Sequence, residues 1–464
     1  MDEIRMLQSS AMGYGNVSRE LIKEGLKYDP HIIVGQGTST DPGPGYLGSD
    51  DIFGYVGKSN KKRDIGLILE AAVEKSIPFI FSGGSPSGSN AQLEGVLRIV
   101  NEICTEKGYK LKVAVIRGEL EKNYVKSKIK QGVRIQRLVD SDRLSEVLSV
   151  DDINQAKRIV SQMGPEPIMK ALEMGVDGVI TGRALDIGLH MAFPLLNGFN
   201  KGLVAHMAKT IECGALCADP PINENIFAIL KQDYFLVFPP NPEKKCTIRS
   251  VASHAFYERP DISKEINPGG YLDISQAKFE QVDRRTVRVS NGKWVPMPYT
   301  VKIEGVKIAG YRTVTVAGIR DDNLIKQIDW FIDDIRKRTV DKFGGISHFD
   351  LFFHVYGKDA VLGISEPKDL MTSDELCIVV DVIAPDPEIS NAICAYVRGR
   401  MFFNDYPGRT STAGNIATLF SPADIQMGES YVWNIWHSLP LEDPCEPFKI
   451  KILNFPNSKI SQWE

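Results

Sequence analysis

Four residues carry side chains suited to taking or giving a proton: Asp41, His206, Glu212 and His254. Asp41 sits in the stretch GQGTSTDPGPGYLGSD (35–50), directly after the apolar run PHIIV. His206 and Glu212 share the stretch AHMAKTIECGALCADPP (205–221), and His254 heads the cluster HAFYER with Tyr257, Glu258 and Arg259. A proton abstracted beside a carbonyl needs such a base, and the developing oxyanion needs donors. His31, His190, His348, His354 and His437 stand in apolar surroundings and read as satisfied core residues.

The donors are expected from glycine-rich junctions. Gly37, Ser39 and Gly43 belong to the opening loop, and Gly83, Gly84, Ser85 and Asn90 to SGGSPSGSNAQLEG (82–95). Arg183 and Asp186 belong to TGRALDIGLHM (181–191). At a strand-to-helix junction, free helix N–H groups and the helix dipole favour an anion. No G-K-[ST] and no clean G-x-G-x-x-G follows, so a nucleotide is not indicated. A remote counterpart, PGRTSTAGN (407–415), offers Arg409, Thr410 and Ser411 as a second carboxylate clamp.

If 205–217 is one helix, His206, Lys209, Cys213 and Cys217 share a face. Ligands on a single helix cannot close a tetrahedral zinc site, so no metal is expected and the cysteines read as small core residues. No cofactor is expected either, and no disulfide between Cys213 and Cys217.

These residues must be held by elements. HIIVG, PFIFSG, LKVAVI and VDGVIT are short apolar runs, each read as a strand followed by glycine. Helical patterns such as NAQLEGVLRIVNEICTEKG lie between them, with Leu93, Val96, Leu97, Val100 and Ile103 on one face. The alternation predicts an α/β fold with a mostly parallel open sheet in the N-terminal half. A proline cluster in QDYFLVFPPNPEKK (232–245) suggests a boundary, giving an α/β domain at 1–240 and a mixed α+β domain at 241–464. In the second part, RRTVRVSNGKWVPMPYTVKIEGV reads as antiparallel strands, with Asn291–Gly292 as a hairpin turn, and DDNLIKQIDWFIDDIRKRTVDKFG as a helix capped by Asp322 or Asn323.

Composition narrows the class. The chain has 464 residues, 43% hydrophobic and 25% charged, with a net charge of −4. Its basic residues are dispersed, which excludes a nucleic-acid or anionic-membrane surface as the main business of the chain. No apolar run approaches the ~20 residues of a membrane span, and the N-terminal residues lack a signal-peptide layout. Seven scattered cysteines fit a reducing, cytoplasmic setting.

Taken in order, GQGTSTDPGPGYLGSD, SGGSPSGSNAQLEG, VAVIRGEL, VDGVITGRALD, AHMAKTIECGA, SHAFYERPD, INPGGYLDIS, YTVKIEGVKIAGYRTV and YPGRTSTAGNIATLFSPADI make the chain resemble the acyclic terpene utilisation AtuA-like family. The resemblance spans nearly the whole length. It implies catabolism of carboxylic acids or acyl-CoA thioesters, with CoA arriving as part of the substrate. The DPGPGYLGS loop is similar to a branch whose members pair with a small partner protein, implying a homo- or hetero-oligomer. The resemblance brings no established catalytic residues with it.

The chemistry expected is therefore that of a lyase, a hydratase, dehydratase or C–C lyase acting next to a carboxyl or thioester carbonyl. The alternatives are a non-catalytic carrier or scaffold subunit of an acyl-CoA-processing assembly, and a phosphate- or nucleotide-dependent transferase.

Overall fold

The computed structural model describes residues 1–9, 16–51, 57–83, 86–259, 261–344, 348–367, 373–456 and 460. Two compact units emerge. The first comprises Met1–Lys307 with Trp433–Glu464, and the second is Ile308–Val432. The proline cluster follows the strand Tyr234–Phe238 and lies inside the first unit.

The first unit is built on a ten-stranded sheet. Its centre is parallel, in the order Ile4–Gln8, Ile32–Gly35, Phe79–Ser82, Gly178–Thr181, Leu111–Ile116. These strands are buried on both faces, which is why they read as continuous apolar runs. The sheet as a whole is mixed rather than mostly parallel. Four antiparallel strands (Ile226–Leu230, Tyr234–Phe238, Val287–Ser290 and Lys278–Gln281) extend one side. Ile450–Phe455, from the far end of the chain, closes the other. The sequence pattern shows which runs are strands, but not that segments from both halves join one sheet.

Helix Asn90–Lys107 buries all five residues of its expected face, Leu93, Val96, Leu97, Val100 and Ile103. Ser89 accepts from Gln92 N at its start, and Gly108, at φ +70°, ends it in the left-handed region. The expected Asn291–Gly292 hairpin does not form. Asn291 has the turn's positive φ, 67°, but Val287–Ser290 pairs with Lys278–Gln281 while Lys293–Pro296 pairs with Gly270–Asp273 in a separate three-stranded sheet. The turn thus passes the chain between sheets.

In the second unit, 311–319 of the long strand Thr300–Ile319 pair with Leu376–Ala384, which pairs in turn with Asp350–Tyr356. Helices Ile328–Phe343 and Pro387–Phe403 contribute Phe331, Ile335, Ile393 and Val397 to its core. The cap expected at Asp322 or Asn323 is Asp321, whose carboxylate accepts from Leu324 N at 2.9 Å.

Three glycines from three loops explain how the carboxyl ends of the parallel strands come together. A Cβ at Gly88 or Gly118 would lie 2.4 Å from Arg183 N, and one at Gly182 would lie 2.7 Å from Gly118 N. The loops after Phe79–Ser82, Leu111–Ile116 and Gly178–Thr181 therefore touch backbone to backbone.

Candidate functional site

Beside these loops lies a cavity of about 690 Å³, lined among others by Ser39, Asp41, Arg183, Asp186, Lys209, Glu212, Glu258, Arg259, Glu265 and Lys302. It sits at the carboxyl ends of the parallel strands, where open α/β sheets hold ligands. All of these residues belong to the first unit.

One wall is a buried cation–anion–cation chain. Glu304 is fully buried; one oxygen accepts from Arg183 Nε at 3.1 Å, the other from Lys302 Nζ at 2.9 Å and Thr40 Oγ1 at 2.7 Å. Burial opposes its charge, but Arg183 and Lys302 outweigh it and hold the carboxyl below the usual range. Arg183 also donates to the carbonyls of Thr38 (2.9 Å) and Ala184 (3.2 Å), which pins the opening loop to the Gly178–Thr181 strand end. Burial pulls the Lys302 ammonium below its ordinary value, and it lies 3.5 Å from the Trp436 ring centroid.

The facing wall comes from two helix ends. Asp186 opens helix Asp186–Leu196, and Glu212 closes helix Lys201–Ile211. Burial pushes Asp186 up to about 6, opposed by Arg183 and Lys209 and reinforced by Asp41, although 31% of its side chain faces open space. Burial pushes Glu212 up to about 8, opposed by Lys209 and reinforced by Asp186 and Glu265. The helix dipoles widen the gap between the two: a helix start favours the carboxylate of Asp186, against the shift from burial, and a helix end disfavours that of Glu212, in line with it. Lys209 Nζ lies 2.6 Å from Glu212, 3.6 Å from Glu258 and 3.8 Å from Glu265, and these carboxyls keep it charged despite burial. Gln8, at the end of the first strand, fixes the Glu212 carbonyl at 2.6 Å.

This arrangement gives a stability prediction. The folded state holds the Glu212 proton above its ordinary value of 4.5, so the stabilisation is full below that pH and lost as pH rises to about 8. The buried histidines, whose ordinary value is 6.5, are neutral in the folded chain but partly protonated in the unfolded one at the lower end of the range pH 6.5 to 8, so they stabilise the fold as pH rises, equally in wild type and in Glu212→Gln. Urea denaturation should therefore show the wild type losing about 1.5–2 kcal/mol relative to Glu212→Gln across that window. Equal slopes for the two proteins would contradict the assignment.

Several expected residues sit elsewhere. His206 is fully buried between Phe235 and Phe279, at ring-centroid distances of 5.5 and 5.9 Å, and burial drops its pKa to about 3. His254 stacks on Tyr257 at 5.8 Å, and burial, with Lys209 nearby, lowers it to about 4. Neither lines the cavity. Helix Lys201–Ile211 ends before Cys213, so the expected four-residue stripe breaks at the Gly214 turn (φ +64°); both cysteines are free.

The loop amides are largely used inside the protein: Gly37 N donates to Ser82 Oγ (2.7 Å), Gly43 N to Thr40 O (3.0 Å), Gly83 N to Thr181 O (2.6 Å) and Asn90 N to Glu119 Oε2 (2.7 Å). Ser39 N donates to Pro86 O. The glycine richness thus serves close packing of loops more than a bare anion cradle. Gly84 and Ser85 lie outside the described residues.

Arg409, Thr410 and Ser411 belong to the second unit. The Arg409 guanidinium donates to the carbonyls of Phe402, Asn404, Ser411 and Thr412 at 3.1, 2.8, 2.9 and 2.7 Å, tying the end of helix Pro387–Phe403 to its own loop. A cation on the last helix carbonyls is a cap. Arg409→Ala should therefore lower stability by about 1–3 kcal/mol, seen in thermal melting, with ligand binding at the cavity unchanged. Intact melting with lost binding would reverse the role.

The second unit holds a larger cavity, about 910 Å³, with Asp329, Lys358 and Asp359 in its lining. Lys358 is paired with both aspartates at 2.7 and 2.8 Å. It offers no counterpart to the buried carboxyls of the first unit, which make the smaller cavity the stronger candidate.

Lys209, Glu258, Arg259, Glu265, Lys302 and Glu304 were not among the expected site residues. HAFYER was the signal for Glu258 and Arg259. Glu304 gave none, because strand alternation in VKIEGV places it with Lys302 on an outward face. Among the described residues no group of three His, Cys, Asp or Glu side chains is placed to hold a metal ion, and no helix is long and apolar enough to cross a membrane.

A family model described as "Acyclic terpene utilisation family protein AtuA" matches residues 58–218 and 233–427. The match takes in every cavity residue named above except Ser39 and Asp41. No curated protein and no solved structure matches the chain.

Proposed function

Because the chain belongs to the acyclic terpene utilisation AtuA family, we propose that it is a lyase of carboxylate catabolism. It adds or removes water, or cleaves a C–C bond, next to the carbonyl of a small carboxylic acid or its acyl-CoA thioester. The observation that carries this reading is the pair Asp186 and Glu212, two carboxyls in one cavity at opposite kinds of helix end. At neutral pH Asp186 is mostly ionised and serves as base toward the α-carbon. Glu212 keeps its proton and gives it to the departing hydroxyl or to the carbonyl oxygen. Pairs of acids whose surroundings push their pKa values apart mark acid–base assignments in enzymes.

Lys302, held at Glu304 and bordering the cavity, supplies positive charge where the enolate oxygen of a thioester carbonyl forms. Asp41, on the opening loop, reinforces the retention of a proton on Asp186. A cavity of this size takes a short acid or the acyl end of a thioester, leaving the pantetheine arm outside. A small partner protein on the opening loop and a cytoplasmic setting complete the proposal.

The test is a panel of short 3-hydroxy acids, 2-enoic acids and their CoA thioesters, with double-bond absorbance followed on the purified chain. Turnover of any of them, lost in Asp186→Asn with melting unchanged, supports the lyase. A non-catalytic scaffold would turn over none, and its partner binding would survive the substitution.

A further inference from the structure

We propose that Arg259 receives the substrate's carboxylate, so that this cavity selects an acid bearing a free carboxylate group. The inference deepens the lyase reading and rests on it for the identity of the occupant as substrate.

Arg259 is buried, its side chain only 1% exposed, yet it lines the cavity. Nη2 donates to Glu265 Oε2 at 2.9 Å. Nε and Nη1 are sealed from solvent and have no partner among the described residues. A guanidinium is never neutral in a protein, and unpaired charged donors in an interior are costly, so the arrangement calls for an acceptor the chain itself does not supply.

Of the other cations lining the cavity, Arg183 serves Glu304 and two carbonyls, Lys302 serves Glu304, Lys209 serves Glu212, and the half-exposed Lys264 lies 3.7 Å from Asp261. Glu265, which grips Arg259, is itself 3.8 Å from Lys209, so the guanidinium is fixed before a ligand arrives. With Nη2 held at Glu265, Nε–H and Nη1–H remain as single charge-assisted donors for a carboxylate. Glu258 and Glu265 also face this corner, and their charge disfavours a dianion such as phosphate.

The class of acid follows. The carboxylate lodges at Arg259, near the Lys209–Glu212 end of the cavity, and the carbons next to it meet the two carboxyls. A neutral terpenoid, or a thioester with no second acidic group, leaves the arginine unpaired and is a poor ligand.

The experiment titrates the full chain, followed by NMR, with 3-hydroxybutyrate, its methyl ester and inorganic phosphate. Wild type should bind the acid at least about 10-fold more tightly than the ester or phosphate. Arg259→Met should weaken acid binding about 10- to 100-fold and leave ester binding alone, and Arg259→Lys should recover only part. If Arg259→Met melts too low to use, Arg259→Lys alone carries the comparison. Equal acid binding by wild type and variants, equal binding of acid and ester, or no acid binding at all overturns the assignment. Binding is read without turnover. Acid binding lost in Arg259→Met while nothing in the substrate panel reacts therefore supports the carboxylate subsite and removes the lyase. Turnover of a thioester with unchanged binding in Arg259→Met does the reverse.

Discussion

Asp186→Asn is expected to lower turnover about 10²- to 10⁴-fold, the range over which a positioned base contributes to catalysis. Asparagine keeps the size of the side chain and the helix start but cannot take a proton. The wild-type pH profile should be bell-shaped. The acidic limb falls near 6 as Asp186 gains its proton, and the alkaline limb near 8 as Glu212 loses its own. The alkaline limb belongs to the pair, since the Asp186 charge raises the affinity of Glu212 for its proton. Glu212→Gln should abolish the alkaline limb and leave the acidic one near 6, because Glu212 is already protonated and neutral where Asp186 titrates. A profile keeping both limbs in either variant would assign the titration to other groups. Initial rates from pH 5 to 9 on the three proteins make the comparison.

Glu304→Ala should cost the fold about 3–5 kcal/mol, the usual effect of removing one partner from a buried ion pair. The substitution strands Arg183 without its carboxylate and frees Lys302 and the Thr40 hydroxyl together. Arg183 connects the opening loop to the Gly178–Thr181 strand end, so protection from amide exchange should fall first around 37–41 and 182–186. Chemical denaturation gives the magnitude. A loss below about 1 kcal/mol, as for a surface pair, would mean that solvent reaches Glu304.

The parts of the fold that follow local rules were legible in the sequence. The runs containing Ile32–Gly35, Phe79–Ser82, Leu111–Ile116 and Gly178–Thr181 are short, apolar and followed by glycine, and they are the parallel core. The helix over 90–107 could be drawn residue by residue from its apolar face. What sequence could not carry was long-range pairing. Nothing near Ile450–Phe455 announces that it edges the sheet beside Leu111–Ile116. Nothing in SNGK tells that the turn joins two sheets instead of closing a hairpin.

The site divides the same way. Ser39, Asp41, Arg183 and Asp186 could be named because they stand at glycine-rich junctions, and Glu212 because it flanks the stripe led by His206; all five line the cavity. His206 and His254 were attractive for their intrinsic pKa, but burial against Phe235, Phe279 and Tyr257 removes them from acid–base work near neutrality. Arg409 looked like a clamp because its neighbours are hydroxyls. The acceptors it uses are backbone carbonyls, which sequence composition does not display.

The central claim is that Asp186 exchanges a proton with the α-carbon of a small acid or thioester. The most direct measurement is deuterium incorporation at that carbon, read by NMR on substrate and product recovered from D₂O. Label should accumulate with wild type at or above the rate of turnover and fall at least about 100-fold with Asp186→Asn, while Glu212→Gln still exchanges below pH 7. Turnover that leaves the α-carbon unlabelled, or undiminished labelling by Asp186→Asn, would contradict the account.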